Sequence, residues 1–236
     1  MAEAERRARR GGAQATLRVG AAWQHDRVVE DDSNVARKFE AAWSVFAQTC
    51  GQYLAPEATY QAWFAHYLIS QFGIDRVARE PIIKKEHFAE SPWKARVLGN
   101  HVRLDAVVTR QPGVMLPHYA NRLVRAEDGS GLQILRDLVV ISELKVAATQ
   151  GGGMDHTEVA RDVYKLSMLL AEFEAAHPGS PLPLAYVCVL DNHPRRAYDW
   201  AHLRRRLEDV PADPRVRILG EQFAGVTLRP ALPSRT

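Results

Sequence analysis

The sequence predicts an α/β fold in which a mixed sheet is flanked by helices, in the core order helix, three strands, helix, strand. Three observations predict it. Short, almost wholly apolar runs at 138–146 and 182–192 read as strands. Segments whose apolar residues recur at helical spacing stand before and after them. Glycine and proline mark the breaks between the two kinds of segment.

In order, residues 1–34 hold ERRARR, a glycine pair and EDDS with little apolar periodicity. They predict a largely disordered basic arm, more a solvated tail than a phosphate contact. A single domain over 35–225 follows. Residues 35–50 have helical spacing, and so do 56–72, where Pro56 suits a first turn and Gly73 a stop. Residues 74–84 read as a strand bent or ended near Pro81, and 101–109 as one strand. Residues 110–136 form a long connection, with an extra strand pair expected around the turn EDGSG. LVVISELKV (138–146) is the next strand, and GGG at 151–153 breaks it from a helix over 155–177. That helix carries the apolar stripe Val159, Val163, Leu166, Leu169 and Leu170. A strand over 182–192, a helix over 198–210 with a basic outer face, and a short strand over 215–219 complete the core. Residues 226–236, ending RPALPSRT, read as a frayed tail.

Composition narrows the function classes. With 236 residues, 46% of them apolar, the chain can bury one sizeable core. The absence of an 18-residue apolar span or a signal-peptide core predicts a soluble, cytoplasmic protein with no membrane partner. Cys50 and Cys188 have no metal-site spacing and suit a reducing compartment. None of the nine histidines has zinc-site spacing, and His156 is expected on a solvated loop. The formal charge of +3 neither demands nor excludes nucleic acid. Arg204, Arg205 and Arg206 read as a solvated helix face rather than a phosphate contact. The chain has 25 arginines but only six lysines, and one of those six stands in the strand LVVISELKV at position 145.

That strand poses the functional question. Glu143 and Lys145 sit two apart, so they project to one face while Leu144 packs on the other. Asp105 sits likewise inside RLDAVV. A carboxylate in a strand that wants burial needs a partner, because an unpaired one is costly to desolvate. Hard oxygen ligands on two neighbouring strands suit Mg2+ or Mn2+. A lysine beside a metal-bound water could orient or deprotonate that water, or stabilise charge on a phosphate.

Asp105 followed by Glu143-Leu144-Lys145 on the next core strand resembles the PD-(D/E)xK nuclease superfamily, with its restriction-endonuclease-like fold. The likeness runs over residues 55 to 192. It implies a core of helix, three antiparallel strands, helix and strand. It implies a metal-dependent DNA endonuclease; RNA as the substrate and a homodimer as the assembly stay open. By the same resemblance, Asp105, Glu143 and the Leu144 carbonyl hold the metal, and Lys145 assists attack of water. Glu57 in the first core helix and Glu80 after the first strand match places that reach the metal shell. Lys165 matches a substrate-binding position on the following helix. A catalytically inactive nucleic-acid-binding or scaffold protein of the same fold is the alternative. Chance alone gives about 0.7 acid-x-lysine matches in a chain of this composition, so the signal is the placement in apolar strands rather than the motif itself.

Simpler readings of each residue stand beside these. Glu143 and Lys145 form an exposed ion pair if their face of the strand is solvated. Glu57 complements the helix dipole if it only opens the helix. Glu80 is then a surface residue, and Lys165 a partner of Asp162. Arg103 and Leu104 stand where the superfamily's eponymous proline would be. The 38 positions from Asp105 to Glu143 require an insertion over 110–136.

Overall fold

The computed structural model of the chain describes residues 30–84, 101–116, 131–151, 153–223 and 227–230. In chain order its helices and strands are α1 (Asp32–Cys50), β1 (Tyr53–Leu54), α2 (Glu57–Phe72), β2 (Val77–Arg79), β3 (Ile82–Lys84), β4 (His101–Arg103) and β5 (Ala106–Thr109). They continue with α3 (Gly131–Arg136), β6 (Leu138–Val146), α4 (His156–Ala176), β7 (Leu184–Asp191), α5 (Trp200–Glu208), β8 (Val216–Gln222) and β9 (Arg229–Pro230).

The apolar runs pair into one five-stranded mixed sheet of order β2-β5-β6-β7-β8. Its first three strands are antiparallel, and β6, β7 and β8 are parallel. Parallel neighbours need a crossover, which α4 supplies between β6 and β7 and α5 between β7 and β8. Asp155 caps α4 by accepting from the Thr157 N–H at 2.7 Å, and Asp199 caps α5 by accepting from that of His202. α2 ends at Gly73, whose φ of 92° suits a residue without a side chain.

Both faces of the sheet are covered, which is why β6 and β7 read as nearly continuous apolar runs. On one face, Phe39 and Phe46 of α1 and Phe64 and Leu68 of α2 pack with Val108, Leu144 and Tyr186. On the other, Val159, Val163 and Leu170 of α4 pack with Ile141, Val187 and Val189. Within β6 only Lys145 escapes full burial. The β5–β6 register sets Ala106 opposite Ser142, whose hydroxyl donates to the Ala106 carbonyl at 2.8 Å. The pairing across the 110–136 connection thus brings the two carboxylate-bearing segments together in one sheet.

Several expectations change. The strand over 74–84 is two strands, broken at Glu80 (φ 50°) and Pro81. Proline has no N–H to give the ladder, and β3 leaves the main sheet to pair with β4 in a separate ribbon. The strand over 101–109 also divides, at Leu104 and Asp105, so Asp105 sits at a break and not within a ladder. Gly131–Arg136 is helical; the rest of the expected strand pair lies outside the described residues. Helix α1 begins at Asp32, inside the segment assigned to the arm; residues 1–29 lie outside the description. Arg229 and Pro230, expected to fray, pair in parallel with Tyr53 and Leu54. No described helix is long and apolar enough to cross a membrane.

The α1–α2 face rests on stacked rings. Phe39 is fully buried, stacks on Tyr186 at 4.3 Å and meets Phe64 edge-on at 5.7 Å. Phe39→Ala is expected to cost about 3–5 kcal/mol, read from urea unfolding, because these rings cannot collapse into the space it leaves. The cysteines make a second check. Cys188 is fully buried, and Cys50, 6% exposed, has its thiol pushed up to about 11 chiefly by burial. Neither is expected to react with an aromatic disulfide reagent at mildly alkaline pH until the chain is unfolded in urea, whereupon both should react.

Candidate active site

The alternation of β6 sends Leu144 toward α1 and α2, and Glu143 and Lys145 toward α4. There they meet a cleft of about 720 Å³. Helix α2 contributes Glu57 and Gln61 to its wall, and α4 contributes Arg161, Asp162 and Lys165. Asp105 and Glu143 form its floor with Lys145, and Glu80 and Arg103 stand at the β3–β4 side.

Glu143 is 2% exposed, so the exposed ion pair considered from sequence does not describe it. Its counter-charge comes from the helix: Lys165 Nζ lies 2.7 Å from Glu143 Oε1 and 3.0 Å from Asp162 Oδ1. Lys145 Nζ lies 2.9 Å from the other oxygen, Asp162 Oδ2. Asp105 is held more conventionally. Its Oδ2 accepts from the Leu144 N–H at 2.8 Å and its Oδ1 from Gln61 Nε2 at 2.9 Å. The Gln61 Oε1 accepts in turn from Arg79 Nη2 at 2.8 Å. The break before β5 lets the Asp105 carboxylate reach a backbone donor on β6.

The electrostatics have one direction. Burial, reinforced by Asp105 and Asp162 and opposed by Lys165, pushes Glu143 well above the usual carboxylate range. Burial also raises Asp105, against the Leu144 N–H and both lysines. For Lys145 burial acts downward, but Asp162 and then Glu143 outweigh it and hold the ammonium above its ordinary value. Lys165 is raised in the same way, first by Glu143. Three carboxylates (Asp105, Glu143, Asp162) thus face two ammonium groups (Lys145, Lys165), one negative charge in excess when all are ionised. Carboxyls and lysines whose pKa values are all raised above their ordinary values are two symptoms of a site that favours added positive charge.

The remaining candidates fall at different depths. Glu57 is exposed at the first turn of α2, yet lines the cleft, and partial burial raises its carboxyl. It stands where a first-turn carboxylate complements the helix dipole, and it lines the cleft. Glu80 stands at the rim, 3.7 Å from Arg103, with 41% of its side chain exposed. Lys165 lies at the centre, and it does pair with Asp162. His156 is not on a solvated loop: it opens α4 and stacks on Tyr198 at 4.3 Å. Arg204, Arg205 and Arg206 are exposed on α5.

Sequence reasoning missed Gln61 and the central place of Asp162. The signal for Asp162 was there: it stands three after Val159 and four before Leu166, a carboxylate on the apolar face of α4. Gln61 stands one helical turn after Glu57, an ordinary polar position that only the fold makes distinctive.

Hard cations that retain water suit two carboxylates and a carbonyl. Among the described residues, no three His, Cys, Asp or Glu side chains already lie as a ligand group. Asp105, Glu143 and the Leu144 carbonyl are the oxygen donors of the cleft floor that could hold such a cation, with water completing its shell. Comparisons with protein-family models, with curated proteins and with solved structures gave no match.

The buried charge has a measurable consequence. The folded pKa of Glu143 lies above its unfolded value, so its contribution to stability is present below the unfolded pKa and lost as pH rises through the folded one. Glu143→Gln keeps the shape, leaves Lys165 its contact with Asp162, and removes that loss. In chelator at neutral pH it is expected to melt higher than wild type by the equivalent of ~1 kcal/mol. The difference should shrink on acidification, as followed by calorimetry.

Proposed function

We propose that this protein is a divalent-metal-dependent endonuclease that hydrolyses phosphodiester bonds of DNA on a restriction-endonuclease-like core. The observation that carries the reading is the net negative carboxylate–lysine site, with Asp105 and Glu143 at the floor of one cleft and Lys145 two residues along the same strand. The order around it supports the reading: a helix, then β2, β5 and β6 antiparallel, then α4, then β7 parallel to β6.

Asp105, Glu143 and the Leu144 carbonyl would hold Mg2+ or Mn2+, which when bound lowers the pKa of a water and offsets charge on the phosphate. The protein's own contribution is placement. Gln61 and the Leu144 N–H orient the Asp105 carboxylate, so its position does not depend on rotamer chance. Burial keeps Glu143 out of competition with bulk water. Lys145 acts as a fixed ammonium, because its raised pKa makes it a poor base at neutral pH. It donates hydrogen bonds to the attacking water or to a phosphate oxygen and stabilises negative charge as it develops. Lys165 adds a second positive charge that a phosphate can use. Glu57, at the cleft mouth, would reach the metal's water shell, and Glu80, paired with Arg103 at the rim, would act from further out.

Plasmid, linear and single-stranded DNA and RNA, each with Mg2+, Mn2+ or chelator, test the proposal. Metal-dependent strand breakage of DNA is expected, abolished by chelator; nucleic-acid binding without cleavage in every metal would favour the non-catalytic alternative. Lys145→Ala is expected to lower the cleavage rate by about 10²–10³-fold while metal binding, read by calorimetric titration, persists. Lys145→Arg should recover little, since a planar fork does not replace a compact ammonium. Full activity in Lys145→Ala would remove this lysine from the mechanism.

A further inference from the structure

Asp162 has no role in the reading above, yet both lysines of the cleft converge on it. It is 5% exposed, on the face of α4 that otherwise carries Val159, Val163 and Leu166 into the core. An aliphatic residue there would avoid the cost of burying a carboxylate, so its presence calls for a function. Its two oxygens are divided: Oδ1 takes Lys165 at 3.0 Å and Oδ2 takes Lys145 at 2.9 Å. The two lysines come from different elements, β6 and α4, and each has a flexible four-carbon stem that does not hold an ammonium in place by itself. Helix packing, by contrast, fixes Asp162. Lys165 has a second anchor in Glu143, 2.7 Å away, whereas the ion pair of Lys145 is with Asp162.

We propose that Asp162 is the positioning residue of this site, a clamp whose two oxygens hold Lys145 and Lys165 as a fixed pair of ammonium groups facing one anionic phosphate. The proposal rests on the nuclease reading and deepens it. A pair of positive charges held on one carboxylate would give the two non-bridging oxygens of a single phosphodiester one donor each. Two unclamped ammonium groups in one partly dry cleft would repel each other and sample other rotamers.

The test uses the full chain labelled with nitrogen-15. An ammonium proton gives a visible resonance only where an ion pair slows its exchange. The chain has only six lysines, and Lys145→Arg and Lys165→Arg assign the two signals of interest. Slowly exchanging signals from both lysines are expected in the wild type; their absence there overturns the proposal whatever the variants do. Asp162→Asn, which keeps the side-chain shape, is expected to lose the Lys145 signal while the far-ultraviolet dichroism is retained. At saturating metal it should lower kcat for DNA by about 10–100-fold with KM little changed, and Asp162→Glu should restore part of the rate. An unchanged Lys145 signal in Asp162→Asn, or a lost signal with unchanged kcat, overturns the proposal. A wild type that shows both signals, loses that of Lys145 in Asp162→Asn, and cleaves nothing supports the clamp and removes the nuclease reading alone.

Discussion

The burial of Glu143 constrains everything near it. A carboxylate 2% exposed within the central strand of a sheet covered on both faces is almost wholly withdrawn from water. It must be protonated, or it must have positive charge brought to it. Lys165 brings that charge from α4, so the helix has to cross β6 with this lysine over position 143. The lysine would be costly to bury alone, and Asp162 shares it; Asp162 would be costly in turn, and Lys145 completes the balance. One buried charge thus recruits three more. Those four charges balance, and Asp105 beside them leaves the cluster one positive charge short when all are ionised.

Asp105 shows how the sheet uses irregularity. Within a regular ladder its backbone would pair and its side chain would follow the pleat. The break at Leu104 and Asp105 frees it to accept the Leu144 N–H. The same break, with that at Glu80 and Pro81, sends β3 and β4 off as a separate ribbon that bounds the cleft. Gln61 and Arg79 then tie Asp105 to α2 and β2. Elements that look peripheral to the chemistry are therefore what holds its carboxylate in place. The excess negative charge of the cleft and its two ammonium groups, paired through Asp162, are what the proposed cation and phosphate sites rest on.

Much of this was legible in the sequence. The apolar runs of β6 and β7 declare strands covered on both faces, and the stripe on α4 declares a helix packed on one of them. The period of two along LVVISELKV places Glu143 and Lys145 together and Leu144 opposite. Those are local rules, in which the covalent chain itself sets which side chains share a face. Asp105, Glu143, Lys145 and Lys165 could be singled out because charged residues are conspicuous in apolar surroundings. Glu57 and Glu80 carry a weaker signal in the sequence, and they stand at the mouth and rim of the cleft.

The sequence by itself therefore determined the element types, the mixed α/β class and the facing of the charged residues. Only the tertiary structure decided which charges meet. Whether Lys165 reaches Glu143 depends on how α4 crosses the sheet. Whether Gln61 reaches Asp105, 44 positions further along the chain, depends on how α2 packs. The division of Asp162 between two lysines depends on both β6 and α4 at once. The strand breaks at Glu80 and Asp105 belong to the same class, since a run of β-forming residues does not say where its ladder partner ends. Secondary structure and facing follow from interactions over a few residues. Ion pairing follows from distances of a few ångströms between residues far apart in the chain, and no local pattern encodes those.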